Sequence, residues 1–291
     1  MTEAAKTKDA VHVGLDTGCR SYCVDQEKID TFNRGLNVDN PIYSRQSPFG
    51  DPVAPSLIRH SEVYENGNWY LPNMHGFLHA RQEFELYAPI FAGEHVTTHT
   101  FVAERYAKRD RDYVVCESLV IGSDGRVCVK GRTHQSFLKP EAPAMSGEVR
   151  GSSRANRTFS VGSEPALETL PGLSRTVGPE MCMNFSGPGK NLHNDEEQAR
   201  LLGFPTVIVQ GMLSICLLSE QLTMRFGAGW LQGGRLAVSL VNPVWMGEEI
   251  TTHARVIRET PEGARQRKEL EVWCQKPDGT VVITGTAQAV E

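Results

Sequence analysis

Two segments of the chain repeat one sequence pattern at a constant offset of 154 residues. Residues 81–133 align with residues 235–287 without a gap. The identical positions, in which turn and strand residues keep the same register, are Arg81/Arg235, Leu86/Leu240, Pro89/Pro243, Gly93/Gly247, Glu94/Glu248, Thr97/Thr251, Thr98/Thr252, His99/His253, Glu117/Glu271, Asp124/Asp278, Gly125/Gly279, Val127/Val281 and Gly131/Gly285. Such a repeat indicates two copies of one fold. A residue present in only one copy is therefore a candidate for chemistry.

The duplication divides the 291 residues into two domains of ordinary size. We predict copy one over residues 1–138, a linker over 139–165 that is rich in Pro, Ser, Gly and Arg, and copy two over 166–291. A hydrophobic content of 40% and a charged content of 22% are typical of a soluble globular protein. The net charge of −5 argues against nucleic acid as the main partner, because no basic surplus is present to neutralise phosphates.

Neither a targeting segment nor a membrane span is expected. The N-terminal residues are polar and lack the apolar core of a signal peptide. The longest apolar run, around residues 207–218, is too short to cross a bilayer. The seven cysteines are expected to be reduced core residues of a cytoplasmic protein. No His and Cys residues have zinc-site spacing, so we expect no metal and no cofactor.

The second part of each copy has the alternating pattern of β-strands. An Asp-Gly turn precedes the last strand of each copy, which is a strong hairpin signal. We therefore predict that each copy ends in a four-stranded antiparallel meander. The predicted strands are 81–87, 96–105, 113–121 and 127–137 in copy one, and 235–241, 250–259, 269–275 and 280–290 in copy two.

The first part of each copy is predicted to be helical. In copy two, Asn194 or Asp195 is expected to cap a short helix that ends at Gly203. A second helix, over residues 211–225, has almost no charge in its first half and must be largely buried. The matching helix of copy one is predicted over residues 54–65. The order of elements predicts an α+β fold of two tandem units, each an antiparallel sheet wrapped around a central helix, with the sheets paired edge to edge.

A motif in copy two lies directly before and at the start of these helices. It has Ser-Gly at 186–187, His193 and Asp195, and then Gly-Phe and Gly-Met at the helix boundaries. Here the chain resembles the MaoC-like dehydratases, the (R)-specific enoyl-CoA hydratases called hydratase 2. This resemblance implies a double hotdog fold. The matching residues are Ser186, Gly187, His193, Asp195, Ala199, Gly203, Phe204, Gly211 and Met212.

Copy one is similar to the degenerate N-terminal half of such proteins. Residues 40–43, Asn-Pro-Ile-Tyr, match the motif with Tyr43 in the place of the histidine. The similarity extends to His75-Gly76 and to residues 82–84 in the first strand. Copy two is therefore expected to carry the chemistry.

The resemblance implies roles for several residues of copy two. His193 stands at the catalytic histidine, and Asn191 replaces the family asparagine if the alignment slips by one residue. The N–H groups of Gly211 and Met212 are implied to bind the thioester oxygen. The residues implied to shape the loop are Ser186, Gly187 and Gly189.

Three positions depart from the family pattern. Pro188 replaces the family aspartate, Lys190 replaces the asparagine, and Gln210 replaces the histidine that leads into the central helix. We interpret Lys190 and Gln210 as specialisation or surface solvation. If an acid is still required, Asp195 and Glu196 are local candidates, although both are also typical of a helix start.

Physical chemistry supports a site at His193 independently of the resemblance. Histidine titrates near neutral pH, as a general acid or base must. Gly211 at a helix start presents backbone N–H groups to an oxygen that gains negative charge. Simpler interpretations stay open: His193 as a helix-entry residue, Asn191 as a turn former and Gly211 as a packing residue. The paired His99 and His253 occupy matching strands and are predicted to be structural.

The implied activity is the reversible hydration of a 2-enoyl thioester to a 3-hydroxyacyl thioester, with CoA or ACP as the carrier, in fatty acid or polyketide metabolism. Two alternatives remain: a thioesterase or other acyl-thioester lyase, and a non-catalytic acyl-binding partner subunit. The protein is expected to be a monomer or a homodimer. Residues of copy one expected to shape the acyl tunnel are Trp69, Tyr70, Met74 and Phe77.

Overall fold

A computed structural model describes residues 10–44, 47–65, 67–71, 77–139, 159–163 and 165–291. Three predicted features therefore lie outside the described residues: Met74, the His75-Gly76 step and most of the linker. Across the described ranges, no helix is both long enough and apolar enough to span a membrane.

Copy one begins with an outer strand and a helix. Helix α1 begins after Asp25, whose side chain accepts a hydrogen bond from the backbone N–H of Lys28 at 3.0 Å, and it ends at Asn37 in the left-handed conformation. Only one further short α-helix precedes the long strands among the described residues of this copy. The elements of copy one are β1 (Asp16–Val24), α1 (Gln26–Leu36), α2 (Glu62–Glu65), β2 (Leu78–Leu86), β3 (Glu94–Lys108), β4 (Arg111–Ile121) and β5 (Val127–Leu138).

Copy two repeats this order with longer and more numerous helices. Asp195 caps the short helix, as one of the two predicted residues, and the next helix begins at Gly211 as predicted. The elements of copy two are β6 (Glu168–Thr169), β7 (Ser174–Thr176), α3 (Pro179–Ser186), α4 (Glu196–Leu201), α5 (Gly211–Phe226), α6 (Ala228–Leu231), β8 (Arg235–Leu240), β9 (Glu249–Glu262), β10 (Arg265–Gln275) and β11 (Val281–Val290).

All strands of the described residues join one antiparallel sheet of eleven strands, in the order β1-β3-β4-β5-β2-β8-β11-β10-β9-β6, with β7 also paired with β9. The β2–β8 pair joins the two copies edge to edge, as predicted. Glu83 pairs with Ala237, which is its own equivalent in copy two, and Arg81 and Glu85 pair with Ser239 and Arg235. An approximate two-fold axis therefore passes through the Glu83–Ala237 pair.

The predicted meander is wrong in the position of its first strand. β2 pairs with β5 and β8 pairs with β11, so the first predicted strand closes on the last one. This arrangement places β2 and β8 at inner edges, where each covers the other. The outer strands β3 and β9 are covered by β1 and by β6 and β7, which the sequence analysis did not predict.

Copy two wraps its sheet around α5. Residues on every side of this helix are buried, including Leu213, Leu217 and Leu222. The helix packs against β8, β9, β10 and β11 and ends at Gly227, which has a φ of 50°. A helix with so few exposed residues is stable only inside a core, and the sheet of copy two supplies much of that core.

The central helix predicted in copy one over residues 54–65 is wrong. Residues 56–61 form consecutive turns, and only Glu62–Glu65 is helical. The stretch carries Ser56, Arg59, His60 and Ser61, whose polar groups cannot all be buried in an apolar helix. Its place against the sheet is taken by a separate core that includes Val63, Trp69, Leu71, Val102, Val114 and Phe137, with Tyr64, Tyr70 and Phe77 packed against it.

Candidate active site

The motif loop, residues 186–195, connects α3 to α4 and is held together by two asparagines. Asn191 Nδ2 donates to the carbonyl oxygens of Ser186 at 2.8 Å and Gly189 at 3.0 Å, and its Oδ1 accepts the N–H of His193 at 2.8 Å. Asn194 Nδ2 donates to the Gly189 carbonyl at 2.9 Å, and its Oδ1 accepts the N–H of Asn191. These bonds place Asn191 inside the loop as a structural residue that orients the backbone of His193.

The loop begins and ends at helix termini. The N–H of Gly187 donates to the Met183 carbonyl at 2.8 Å and closes α3, and a side chain at Gly187 would collide with that carbonyl. Gly189 is exposed and has open space where a side chain would stand. Of the three predicted loop-shaping residues, Ser186 and Gly187 are thus fixed by contacts, and Gly189 contributes its carbonyl.

Asp195 caps the start of α4 and forms an ion pair. Its Oδ1 accepts the N–H of Gln198 at 3.1 Å, and its other oxygen lies 2.9 Å from Lys190 Nζ. The Lys190 ammonium, with the cap hydrogen bond, lowers the pKa of the Asp195 carboxyl. Glu196 pairs with Arg200 at 2.6 Å on the same helix. Both candidate acids are therefore engaged in ion pairs, and Lys190 is exposed at the surface, as the sequence analysis predicted.

His193 is half-buried, and its ring is fixed by one hydrogen bond. Nδ1 lies 2.8 Å from the carbonyl oxygen of Ile208. A carbonyl only accepts, so Nδ1 carries the proton and Nε2 keeps a free lone pair. Burial lowers the pKa of His193, while the bond to Ile208 opposes part of this shift. Burial thus favours the neutral ring, in which Nε2 is unprotonated.

Gly211 and Met212 form the first turn of α5, three residues after Ile208. The N–H groups of a first helical turn have no partner within the helix and carry its partial positive charge. A side chain at Gly211 would collide with Leu240 Cδ2 of β8. Gly211 therefore allows the helix tip to approach β8 closely, while Met212 is buried in the core.

Gln210 is not a surface residue but a partly buried link between the copies. Its Oε1 accepts from Ser186 Oγ at 3.2 Å, and its Nε2 donates to Ser61 Oγ of copy one at 3.2 Å. The neighbouring residues also touch, because the His60 ring stacks on Phe185 with ring centroids 4.7 Å apart. The interpretation of Gln210 as surface solvation is thus replaced by an interior contact.

Copy one uses the equivalent motif position in another way. Tyr43 OH and Asn40 Nδ2 both donate to the carboxyl of Glu220, the second at 2.7 Å. Glu220 lies in the middle of α5 and is 3% exposed, so that burial raises its pKa. The degenerate motif therefore fastens copy one to α5 at a point remote from its N-terminus.

The remaining predicted residues lie apart from the motif loop. His99 is within 3.2 Å of Asp16, and His253 stacks on Trp273, so both have contacts typical of structural residues. Trp69 is fully buried and donates to a backbone carbonyl, while Tyr70 packs against it. Within the described ranges, no group of three or more His, Cys, Asp and Glu side chains is placed to hold a metal ion.

Sequence reasoning missed Ser61, His60 and the carbonyl of Ile208. The first two lie in the stretch predicted as a helix, where their side chains would have had other directions. A backbone carbonyl carries no sequence signal at all. Only Gln210, as a departure from the motif at the helix tip, marked this part of the site.

Family models match both halves of the chain. Residues 166–273 match the MaoC like domain, and residues 11–130 match the FAS1-like, dehydratase domain region. The resemblance to the MaoC-like dehydratases is confirmed. Both descriptions are of dehydratases, and they support a hydratase or dehydratase activity in general terms. No curated protein matches the sequence significantly.

Solved structures with this architecture cover nearly all of the chain. A MaoC-like dehydratase from Phytophthora capsici is 16% identical with a TM-score of 0.70, over 97% of this chain and 97% of that one. A Mycobacterium tuberculosis protein described as a double hotdog fold is 11% identical with a TM-score of 0.61, over 98% of each chain. The peroxisomal multifunctional enzyme type 2 of Drosophila melanogaster is 15% identical with a TM-score of 0.64, over 94% of this chain but 48% of that one. The protein has the double hotdog fold.

Proposed function

We propose that the protein is a hydro-lyase that reversibly adds water to a 2-enoyl thioester, with His193 as the acid–base residue. The observation that carries this proposal is the hydrogen bond from His193 Nδ1 to Ile208, three residues before the start of α5, which leaves Nε2 of the half-buried ring unprotonated. A neutral imidazole with one fixed nitrogen is the state that a general base needs before catalysis.

In the hydration direction, Nε2 takes one proton from a water molecule as the water oxygen bonds to the β-carbon. The electron pair of the carbon–carbon double bond moves toward the thioester carbonyl and forms an enolate. The N–H groups of Gly211 and Met212 stabilise that negative oxygen. The imidazolium then returns its proton to the α-carbon, which completes a 3-hydroxyacyl thioester. Dehydration is the reverse sequence.

A single acid–base residue fits the chemistry of this loop. Pro188 stands where the resembled family has an aspartate, and Asp195 is held as an ionised helix cap. The proton taken from water therefore has no carboxylate partner in the motif loop. The same ring removes and returns it.

The proposal is tested with purified protein and crotonyl-CoA. Enone absorbance should fall as water adds, and 3-hydroxybutyryl-CoA should be detected by mass. His193→Gln should lower kcat by at least about 10²-fold, since general acid–base catalysis contributes this much or more. The matched control is Tyr43→Phe, at the equivalent position of copy one, which should keep kcat close to wild type. Equal kcat values for His193→Gln and wild type would exclude His193 from the chemistry.

The second candidate function, a thioesterase, is favoured only by Pro188 at the place of the aspartate. The same reaction mixture separates it, because hydrolysis adds water at the thioester carbonyl, breaks the carbon–sulfur bond and releases free CoA thiol, while the carbon–carbon double bond stays in the acid product. Thiol release with crotonate as the acyl product, and without 3-hydroxybutyryl-CoA, would favour the thioesterase. Running the assay with crotonyl-ACP as well as crotonyl-CoA decides which carrier is used.

A further inference from the structure

The tip of α5 is joined to both copies by the side chain of Gln210. One end of its amide bonds to Ser186, the first residue of the motif loop, and the other end bonds to Ser61 of copy one, both at 3.2 Å. Gln210 directly precedes Gly211 and lies two residues after Ile208, which holds His193. One side chain thus touches the loop that carries the histidine, the helix tip and the other copy.

A ring contact lies next to this bridge. His60 and Phe185 are the residues directly before Ser61 and Ser186, and their rings stack at 4.7 Å with an interplanar angle of 16°. Two consecutive residues of copy one therefore contact copy two, His60 at Phe185 and Ser61 at Gln210. Such a double contact fixes both the distance and the rotation of one backbone relative to the other.

We propose that Gln210 is a positioning residue, and that Ser61 of copy one completes the active site by fixing it. This inference rests on the proposed function, in which His193 and the N–H groups of Gly211 and Met212 act on the same acyl group. Copy one then contributes to catalysis through a hydrogen bond, although its own motif carries Tyr43 in place of a histidine.

The physical reason is the precision that the reaction needs. The base must meet the β-carbon while the helix tip meets the carbonyl oxygen of the same thioester, and a displacement of about 1 Å costs on the order of 10²-fold in rate. His193 is on a loop, whereas Gly211 is on a helix. A bond between the first loop residue and the residue before the helix keeps these two groups in register.

The chain offers a matched control for a contact that only stabilises the fold. Ser56 lies in the same turn stretch as Ser61, is buried, and bonds through its hydroxyl to Ser219 of α5 at 3.3 Å. This contact also joins copy one to α5, but it lies eight residues along the helix from Gly211. Ser56→Ala and Ser61→Ala remove the same atom from equivalent kinds of contact.

Steady-state hydration of crotonyl-CoA is measured for these variants. Ser61→Ala should lower kcat on the order of fivefold, the fold-change that corresponds to one net hydrogen bond, with KM close to wild type. Gln210→Met, which keeps the length but loses both bonds, should lower kcat by about 10- to 100-fold. Ser61→Thr keeps the hydroxyl and should restore kcat, and Ser56→Ala should leave it unchanged. The Ser61→Ala/Gln210→Met double variant should be no slower than Gln210→Met alone, because both cut one bridge.

A second readout does not depend on turnover. In NMR spectra, Ser61→Ala should shift the backbone amide signal of Gly211 and the ring nitrogen signals of His193, whereas Ser56→Ala should leave them in place. Unchanged signals in Ser61→Ala and Gln210→Met overturn the inference even if no thioester is hydrated. If His193→Gln is inactive while Gln210→Met keeps wild-type kcat, the inference fails and the proposed function stands. Inactive wild-type protein with shifted signals overturns the proposed function and keeps the bridge.

Discussion

Copy one and copy two share a sheet topology but fill their sheets differently. The sheet of copy two surrounds α5, whose residues are buried on all sides. Part of the sheet of copy one packs against turns and aromatic side chains around Trp69, while Phe84 and Val129 belong to the same core as α5. The difference shows that one buried helix is sufficient for a joined sheet of this size. Copy one, which lacks a central helix, places polar residues, including Ser61 and His60, next to Gln210 and Phe185 at the motif loop of the other copy.

The two motif positions show the same division. In copy two, the ring of His193 is fixed at one nitrogen by a backbone carbonyl, and the other nitrogen stays available. In copy one, the Tyr43 hydroxyl donates a hydrogen bond to the buried carboxyl of Glu220. In copy one, this motif position therefore anchors the copy to α5.

The largest difference that can be tested is the loss of stability at acid pH. We expect this loss to arise mainly from copy one. Burial lowers the pKa of both His60 and His79 from 6.5 to about 4. The unfolded chain therefore binds more protons than the folded chain between these values, and stability rises with pH across that window. Each neutral ring should account for roughly 3 kcal/mol of unfolding free energy, which is present above pH 6.5 and lost as the pH falls through about 4.

Urea unfolding at about pH 7.5 and about pH 4.5 measures this effect. The His60→Phe/His79→Gln double variant should lose much less stability on acidification than wild type, because neither replacement titrates. His193→Gln should reduce the loss further, since burial also lowers the pKa of His193. A double variant with the same acid sensitivity as wild type would show that the two rings of copy one are not the source.

A smaller difference is expected at two glycines that the repeat makes equivalent. A side chain at Gly285 in β11 would collide with the backbone oxygen of Ala237 in β8. At Gly131 in β5 it would meet only side chains, Ser118 Oγ at 2.8 Å and the Phe84 ring at 3.0 Å. Side chains can move aside, whereas the strand backbone cannot without loss of pairing. Gly285→Ala should therefore cost about 3 kcal/mol and Gly131→Ala about 1 kcal/mol of unfolding free energy.

Denaturant unfolding of the two alanine variants checks this order. Gly125→Ala is not a suitable control because Gly125 has a φ of 85°, and Gly189→Ala is preferable since its added methyl group meets open space. Equal losses of unfolding free energy at Gly131 and Gly285 would mean that the strand backbone at the junction of the copies moves aside as easily as side chains do.

Much of the fold could be predicted because the repeat, the Asp-Gly turns and the apolar run at 211–225 are local signals. The strand β1 could not, since its sequence mixes polar residues with cysteines and its pairing with β3 is set by tertiary structure. The helix predicted at 54–65 failed for a related reason. Its prolines are compatible with a helix start, but the polar side chains after them find partners only in turns.

For the candidate site, the sequence marks His193 and Gly211 by residue type and spacing, and their roles stay predictions. The partners that define their state could not be predicted. The proton on His193 Nδ1 is determined by the carbonyl of Ile208, and the Gln210 amide bonds to Ser61, about 150 residues earlier in the chain. Contacts between the copies follow from the approximate two-fold arrangement, which no local pattern describes.

The smallest predicted difference concerns the two aspartates that cap helices in the two copies. Asp25 begins α1 and Asp195 begins α4; each accepts a backbone N–H and pairs with a lysine, Lys28 or Lys190. Asp25→Ala and Asp195→Ala should each lower Tm by about 2–4 °C, as expected for loss of one cap in a chain of this size.

Of these two variants, only Asp195→Ala in copy two is expected to change kcat. Asp195 ends the loop that carries His193, so that Asp195→Ala should lower kcat a few-fold, whereas Asp25→Ala should not alter it. Asp195→Asn keeps a good cap but loses the attraction to Lys190, and should restore most of the kcat. If Asp195→Asn is as slow as Asp195→Ala, the charge rather than the cap positions the loop. If Asp25→Ala is equally slow, the two copies are coupled through α1 as well as through Gln210.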